Sequence, residues 1–132
     1  MTAADRLDEI EARANAATEG PWEWRSSSPT MSGEAWTLRI AGKPGIRLSA
    51  HEYQHGTANA EFIAHARADV PALVAALRAV LDRHRPVEVE PSDTICGNCS
   101  FQLPNGRYFG KVEEWPCDTV RAVEAALGEV AS

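Results

Sequence analysis

Residues 59–83 read NAEFIAHARADVPALVAALRAVLDR, and this stretch decides the fold. Pro71 interrupts it, because a proline cannot donate a backbone hydrogen bond and clashes with the preceding turn. We therefore predict two consecutive helices, the first capped by Asn59 and the second by Asp69. Their apolar residues recur every three or four positions and form one stripe, the floor of a small core: Phe62, Ile63, Ala66, Val70, Leu73, Val74, Leu77, Val80 and Leu81.

The composition is that of a soluble globular protein. The chain has 132 residues, of which 44% are hydrophobic and 24% charged, enough to bury a core without obligatory cross-links. No apolar run reaches the length of a membrane span, and no basic segment precedes an apolar one at the N-terminus. These features predict a cytoplasmic protein that has no membrane partner.

The charge balance argues against nucleic acid as a partner. The formal net charge is −6, whereas proteins that bind nucleic acids usually carry a basic stripe that releases counterions from phosphates. Here the arginines are scattered, and the lysines are Lys43 and Lys111.

The rest of the chain predicts an α+β fold. Thr2 and Asp5 resemble a capping box for an N-terminal helix, which Gly20-Pro21 ends. Alternating patterns after Trp22, at 35–40 and at 46–49 predict a small antiparallel sheet of about three strands packed on the helices. Residues 41–45 would form the turn between the second and third strands.

The C-terminal part is predicted to form a separate module. Residues 85–94 read as a loop, residues 101–111 as a short hairpin turning at Pro104-Asn105-Gly106, and residues 118–129 as the last helix. We expect one domain over 1–132, with a helix–sheet–helix core at 1–84 and a cysteine-containing module at 85–132 packed on it.

Three cysteines and one histidine form a candidate metal site. Cys96 and Cys99 are separated by two residues, so both thiolates can bind one ion from a tight knuckle. Cys117 would begin the last helix, where the helix dipole favours a thiolate. His84, at the end of the central helix, is the fourth candidate. Four protein ligands would make the zinc structural; the alternative is three thiols without a metal.

A second candidate site lies on the sheet. His51, Tyr53 and His55 alternate and would share one side of an extended segment. They are candidate ligand residues, with the alternative of a solvated strand end. Trp22, Trp24 and Trp36 are predicted on the sheet, where exposed aromatic side chains would form an interface and buried ones a core.

Two segments of the chain resemble a known group of proteins. Residues 14–22, ANAATEGPW, and residues 59–73, NAEFIAHARADVPAL, are similar to the Ead-like early-region proteins of lambda-type phages and to small actinobacterial proteins. The tail from His84 through the cysteines to Ala122 resembles a cysteine-containing ending of small actinobacterial proteins. The resemblance implies a phage or prophage origin and transfers no catalytic residues.

Two functions follow as hypotheses. The first is a non-enzymatic phage or prophage accessory protein that binds a host or phage protein and carries a structural zinc site. The second is a binder or hydrolase of a small anionic ligand such as a nucleotide. It would use His51, Tyr53 and His55, a tryptophan face and a nearby arginine from the sheet: Arg25, Arg39 or Arg47.

Overall fold

The computed structural model describes residues 1–26, 36–48 and 56–129, and these form an α+β structure. The described residues contain three helices: α1 (Ala3–Ala16), α2 (Gly56–Arg83) and α3 (Asp118–Glu129). They also contain five strands: β1 (Trp22–Ser26), β2 (Trp36–Ile40), β3 (Lys43–Leu48), β4 (Pro86–Val89) and β5 (Asp93–Cys96). None of these helices combines the length and the apolar character that crossing a membrane requires.

The chain divides into two compact units. The first contains residues 1–10 and 74–132, and the second contains residues 11–73. The division within α2 falls between Leu73 and Val74, close to Pro71. The prediction of one domain with a boundary near residue 84 stays a prediction.

The prediction of two consecutive central helices is wrong. One helix, α2, runs through Pro71 for 28 residues. Proline inside a helix costs about 3 kcal/mol because one hydrogen bond is lost. The flanking sequence is rich in alanine and leucine, which have the highest helix propensities, so the helix continues on both sides.

The predicted apolar stripe of α2 is only partly buried. Val74 is buried, whereas Phe62 and Leu73 are 76% and 63% exposed. At about 100° per residue, Phe62, Leu73 and Val80 fall on one line at the edge of the stripe. The apolar arc is therefore wider than the surface that covers it.

The capping box at the start of α1 is confirmed. The Thr2 backbone N–H donates to the Asp5 carboxylate at 2.8 Å, and the Asp5 N–H donates to the Thr2 hydroxyl at 3.1 Å. The hydrogen bonds from the side chain and backbone of Thr2 hold the pKa of Asp5 below its ordinary value. This reciprocal pair satisfies N–H groups that the first turn leaves without partners.

The three-stranded sheet has the order β1-β2-β3 and is antiparallel. Ala41 and Gly42 form its second turn with φ of 51° and 79°, the conformation of a two-residue type I′ hairpin. β3 therefore begins at Lys43. The turn lies where it was predicted but contains two residues, so the predicted bounds of 41–45 are wrong. Leu38 pairs with Ile46 and Arg39 with Pro44, so Gly45 has no partner in β2 and forms a β-bulge. A Cβ on Gly45 would lie 2.8 Å from Ile40 Cδ1, which is too close for an ordinary contact.

The loop predicted at residues 85–94 is also wrong, because β4 and β5 form a hairpin there with Val87 opposite Ile95. Pro86 and Pro91 led to the loop interpretation. Pro86 begins the hairpin and Pro91 lies in its turn, two positions where a strand pair tolerates proline. The hairpin predicted at 101–111 is present as an antiparallel bridge between Gln102 and Tyr108.

Candidate metal centre

The four predicted metal ligands come together in the first unit. The ligand atoms of His84, Cys96, Cys99 and Cys117 all lie within 4.8 Å of one another. Cys96 and Cys117 are buried, and His84 and Cys99 are half-buried. These four side chains could therefore bind one metal ion.

The distances are compatible with zinc. The Nδ1 atom of His84 lies 3.6 Å from the sulfur of Cys96, 3.4 Å from that of Cys99 and 3.5 Å from that of Cys117. An imidazole nitrogen has either one hydrogen or one lone pair to share, so it cannot bond three sulfurs at once. Tetrahedral zinc bonds of about 2.3 Å to sulfur and about 2.0 Å to nitrogen separate those atoms by about 3.5 Å. The cluster therefore has the dimensions of a site around one ion.

Backbone hydrogen bonds hold the Cys96–Cys99 knuckle. The Cys96 N–H donates to the Glu113 carbonyl at 2.9 Å, and the Gly97 N–H donates to the Arg85 carbonyl at 3.0 Å. The Ser100 N–H closes the turn on the Cys96 carbonyl at 3.1 Å. The knuckle is thus attached on one side to the segment after α2 and on the other to the segment before α3.

His84 and Cys117 lie at two helix ends. The His84 N–H donates to the Val80 carbonyl at 3.0 Å and continues the last turn of α2, and the Arg121 N–H donates to the Cys117 carbonyl at 3.0 Å. Cys117 is therefore the N-cap residue of α3. Leu81 and Trp115 pack against the buried cluster of Cys96, Cys117 and Val120.

The pKa values of Cys99 and Cys117 are shifted in opposite directions. Burial, hydrogen bonding to Cys96 and Cys117 and repulsion from their charges raise the pKa of Cys99 to about 12. Burial also acts to raise the pKa of Cys117, but hydrogen bonds from the Val120 N–H, from the other two thiols and from the Thr119 N–H lower it below its ordinary value. A bound cation would favour deprotonation of all three, because it offsets the repulsion among thiolates.

Gly97 is required by close packing beneath the knuckle. A Cβ at this position would lie 2.9 Å from Val87 Cγ2 and 3.4 Å from the Tyr108 hydroxyl.

We expect Gly97→Ala to destabilise the protein by about 1–3 kcal/mol through overpacking. Thermal unfolding of the purified protein measures this, and adding Val87→Ala should restore much of the loss. Gly128→Ala is the control, since its Cβ would meet nothing within 4 Å; an equal loss there would contradict the packing argument.

The predicted sheet residues are placed only in part. His51, Tyr53 and His55 lie outside the described residues, as does the side chain of Trp36. Trp22 and Trp24 are half-buried. The strand register puts them on the face that carries Leu38, which is fully buried.

The predicted arginines do not accompany these tryptophans. Arg25 alternates with them along β1, and Arg39 pairs with Glu23, so both belong to the opposite face. The side chain of Arg47 lies outside the described part of the chain.

Two adjoining clefts separate β1 and the preceding turn from the first half of α2. One has a volume of about 590 Å³ and the other about 440 Å³, and both are lined by Trp22, Ala64 and His65. Arg67 lines the larger cleft and Trp24 the smaller. Arg67 was not among the predicted site residues; it lies three residues after Ala64 and therefore on the same helix face.

Comparisons with protein-family models, with curated proteins and with solved structures found no match to this chain. The resemblance to Ead-like phage proteins is not tested by these comparisons and stays a prediction.

Proposed function

We propose that this chain is a non-enzymatic accessory protein that acts by binding another protein, and that a structural zinc ion orders the cysteine-containing residues 85–132. The observation that carries the proposal is the convergence of three thiols on His84 Nδ1 at 3.4–3.6 Å. Four protein ligands complete a tetrahedral shell and leave no position for a reacting water. The phage or prophage setting, the cytoplasmic location and a host or phage protein as partner are part of the proposal and rest on the sequence.

Elemental analysis of the purified protein tests the metal. We expect about one equivalent of zinc per chain and no thiols accessible to a mild thiol reagent until a chelator is added. Less than about half an equivalent of zinc, with free reduced thiols, would exclude the site. Iron in place of zinc would contradict the metal assignment, since sulfur-rich tetrahedral sites also bind iron.

The hairpin at residues 101–111 supports the interaction role. Phe101 and Phe109 are 58% and 72% exposed, and the bridge between Gln102 and Tyr108 places them opposite each other on one face. The backbone around these phenylalanines is ordered, because the Phe101 N–H donates to the Lys111 carbonyl at 2.8 Å. Gly110, between Phe109 and Lys111, has a φ of 82°. Exposed aromatic side chains on an ordered element are typical of binding hot spots.

The zinc site and the hairpin are physically connected. The Ser100 hydroxyl is buried and accepts a hydrogen bond from the Glu113 N–H at 3.0 Å, joining the two ends of the hairpin next to Cys99. Zinc would therefore stabilise the surface that carries the phenylalanines. Interface aromatics bind more strongly when they are held in place before binding, because less entropy is lost.

A double variant tests the interface separately from the metal. The partner is first captured from host lysate with the unchanged protein and identified, and its binding is then measured with purified components. The double variant Phe101→Ser, Phe109→Ser should retain one equivalent of zinc and lose binding to this partner. We expect binding to weaken at least about tenfold. Phe62→Ser is the control, because Phe62 is an exposed phenylalanine of α2. Equal capture by the double variant would contradict this interface.

A further inference from the structure

Trp22 and Arg67 are held side by side in the larger cleft of the second unit. The Trp22 indole N–H donates to the Thr18 carbonyl at 3.0 Å, and the Arg67 Nε–H donates to the same carbonyl at 2.9 Å. Both side chains line the cleft. A flat aromatic surface and a guanidinium group are therefore fixed next to each other before any ligand arrives.

Arg67 has unused hydrogen-bonding capacity. A guanidinium has five N–H donors, and in the described residues only the Nε–H of Arg67 has a partner, with no carboxylate in an ion pair. His65 is exposed and lines the same cleft. A guanidinium with free terminal N–H groups matches a phosphate or carboxylate, which it binds through two parallel bonds.

Trp24 and Glu61 line the adjoining cleft. The Trp24 indole N–H is buried and has no hydrogen-bond partner among the described residues, and because it is enclosed by protein it does not donate to a ligand in the cleft. The exposed Glu61 carboxylate could accept a hydrogen bond from an amino group of a ligand.

The charges limit what the cleft accepts. Glu19 lines the larger cleft and Glu61 the smaller one; the side chain of Glu23 belongs to the opposite face of β1, where it lies 3.9 Å from Arg25. The carboxylates of Glu19 and Glu61 repel a ligand with several negative charges, since like charges a few ångströms apart disfavour each other. A single anionic group beside Arg67 fits better than a triphosphate.

We propose that these clefts form a binding site for a nucleoside monophosphate, whose base stacks on Trp22 and whose phosphate binds Arg67 and His65. The volumes of about 590 and 440 Å³ lie in the range of small-ligand sites. The site is built from residues 18–24 and 60–68 and is independent of the metal centre. It uses different residues from the predicted His51, Tyr53 and His55.

Isothermal titration calorimetry of the 132-residue protein, purified with its metal, with AMP, GMP, CMP and UMP tests the proposal. We expect at least one of them to bind at micromolar to low millimolar concentration, more tightly than its triphosphate. Arg67→Gln should weaken the monophosphate about tenfold to a hundredfold and leave the corresponding nucleoside unchanged. Trp22→Leu should weaken both.

Arg25→Gln is the matched control, because Arg25 is an exposed arginine on the opposite face of β1. It should leave every affinity unchanged. The proposal is overturned if no monophosphate binds at millimolar concentration, or if Arg67→Gln and Arg25→Gln have equal effects. Loss of nucleoside and monophosphate alike in Arg67→Gln would also overturn the assignment of Arg67 to the phosphate. Should Trp22→Leu fail to fold, the comparison of the two arginine variants still decides.

Discussion

Replacing Cys96 with serine should abolish stoichiometric zinc binding and unfold both C-terminal hairpins. Cys96 is fully buried, ends β5 and donates its N–H to Glu113. Much of the buried apolar material near the hairpins belongs to the cluster around the thiols, so little else would hold them together. Structural zinc supplies apparent energies of about 10 kcal/mol or more in isolated zinc fingers, and we expect a loss of several kcal/mol here.

Hydrogen exchange locates the effect. Amides of residues 86–117 should lose protection in Cys96→Ser, whereas those of α1 and of α2 before its last turn should keep theirs, with most of the helical circular dichroism retained. The control is Asn98→Ala, which alters an exposed residue between two ligands and leaves all four ligands in place. Unchanged protection of residues 86–117 after zinc removal would contradict a structural role for the metal.

The same measurement tests the fourth ligand. His84→Ala removes the nitrogen ligand of the proposed site and should lower zinc affinity by about a hundredfold or more. Loss of a residue that only hydrogen-bonds to a metal ligand already lowers metal affinity by about tenfold to a hundredfold. Full zinc occupancy in His84→Ala under competition with a chelator would remove His84 from the site and leave the three thiols in it.

The four candidate ligands could be predicted because few side-chain types suit a zinc site. The chain has three cysteines and four histidines, and the two-residue spacing of Cys96 and Cys99 lets both thiolates reach one ion from a tight knuckle. His84 was predicted from its position at a helix end, which the structure confirms to be next to the thiols. What the spacing could not show is that Gly97 packs against Val87, because that contact depends on a hairpin.

The errors have a common physical origin. Pro71, Pro86 and Pro91 were each interpreted as interruptions. A proline removes one donor and, in a helix, crowds the preceding turn, so its effect depends on whether the neighbouring residues keep their own bonds. In α2 the flanking alanines and leucines do so, and in the β4-β5 hairpin the prolines occupy positions that need no N–H. Such outcomes depend on the partners of each segment, which local patterns do not contain.

The exposed fraction of each aromatic side chain could not be predicted from the sequence either. Phe62, Phe101 and Phe109 are exposed, whereas Trp22 and Trp24 are half-buried. Periodicity assigns a residue to a face but does not say how much of that face is covered. For this reason the interface predicted on the tryptophans is now proposed on the phenylalanines.

Leu7→Ala should destabilise the protein by about 2–5 kcal/mol, the range for leucine truncation in a packed core. Leu7 is fully buried, and Ala3, one turn before it, is 3% exposed. The truncation leaves a cavity, and the loss within this range depends on how far the surroundings relax into it. Asp8, the next residue of α1, forms an ion pair with Arg78 of α2 at 2.6 Å within the same unit.

Thermal unfolding of the zinc-loaded variant should show a midpoint lowered on the order of 10 °C, with zinc stoichiometry unchanged because Leu7 is not a ligand. Leu73→Ala is the matched control, since Leu73 is 63% exposed in α2 and should cost less than about 1 kcal/mol. A similar loss in both variants would show that the exposed edge of α2 is covered in solution. A negligible loss in Leu7→Ala would mean that the start of α1 contributes little to the core.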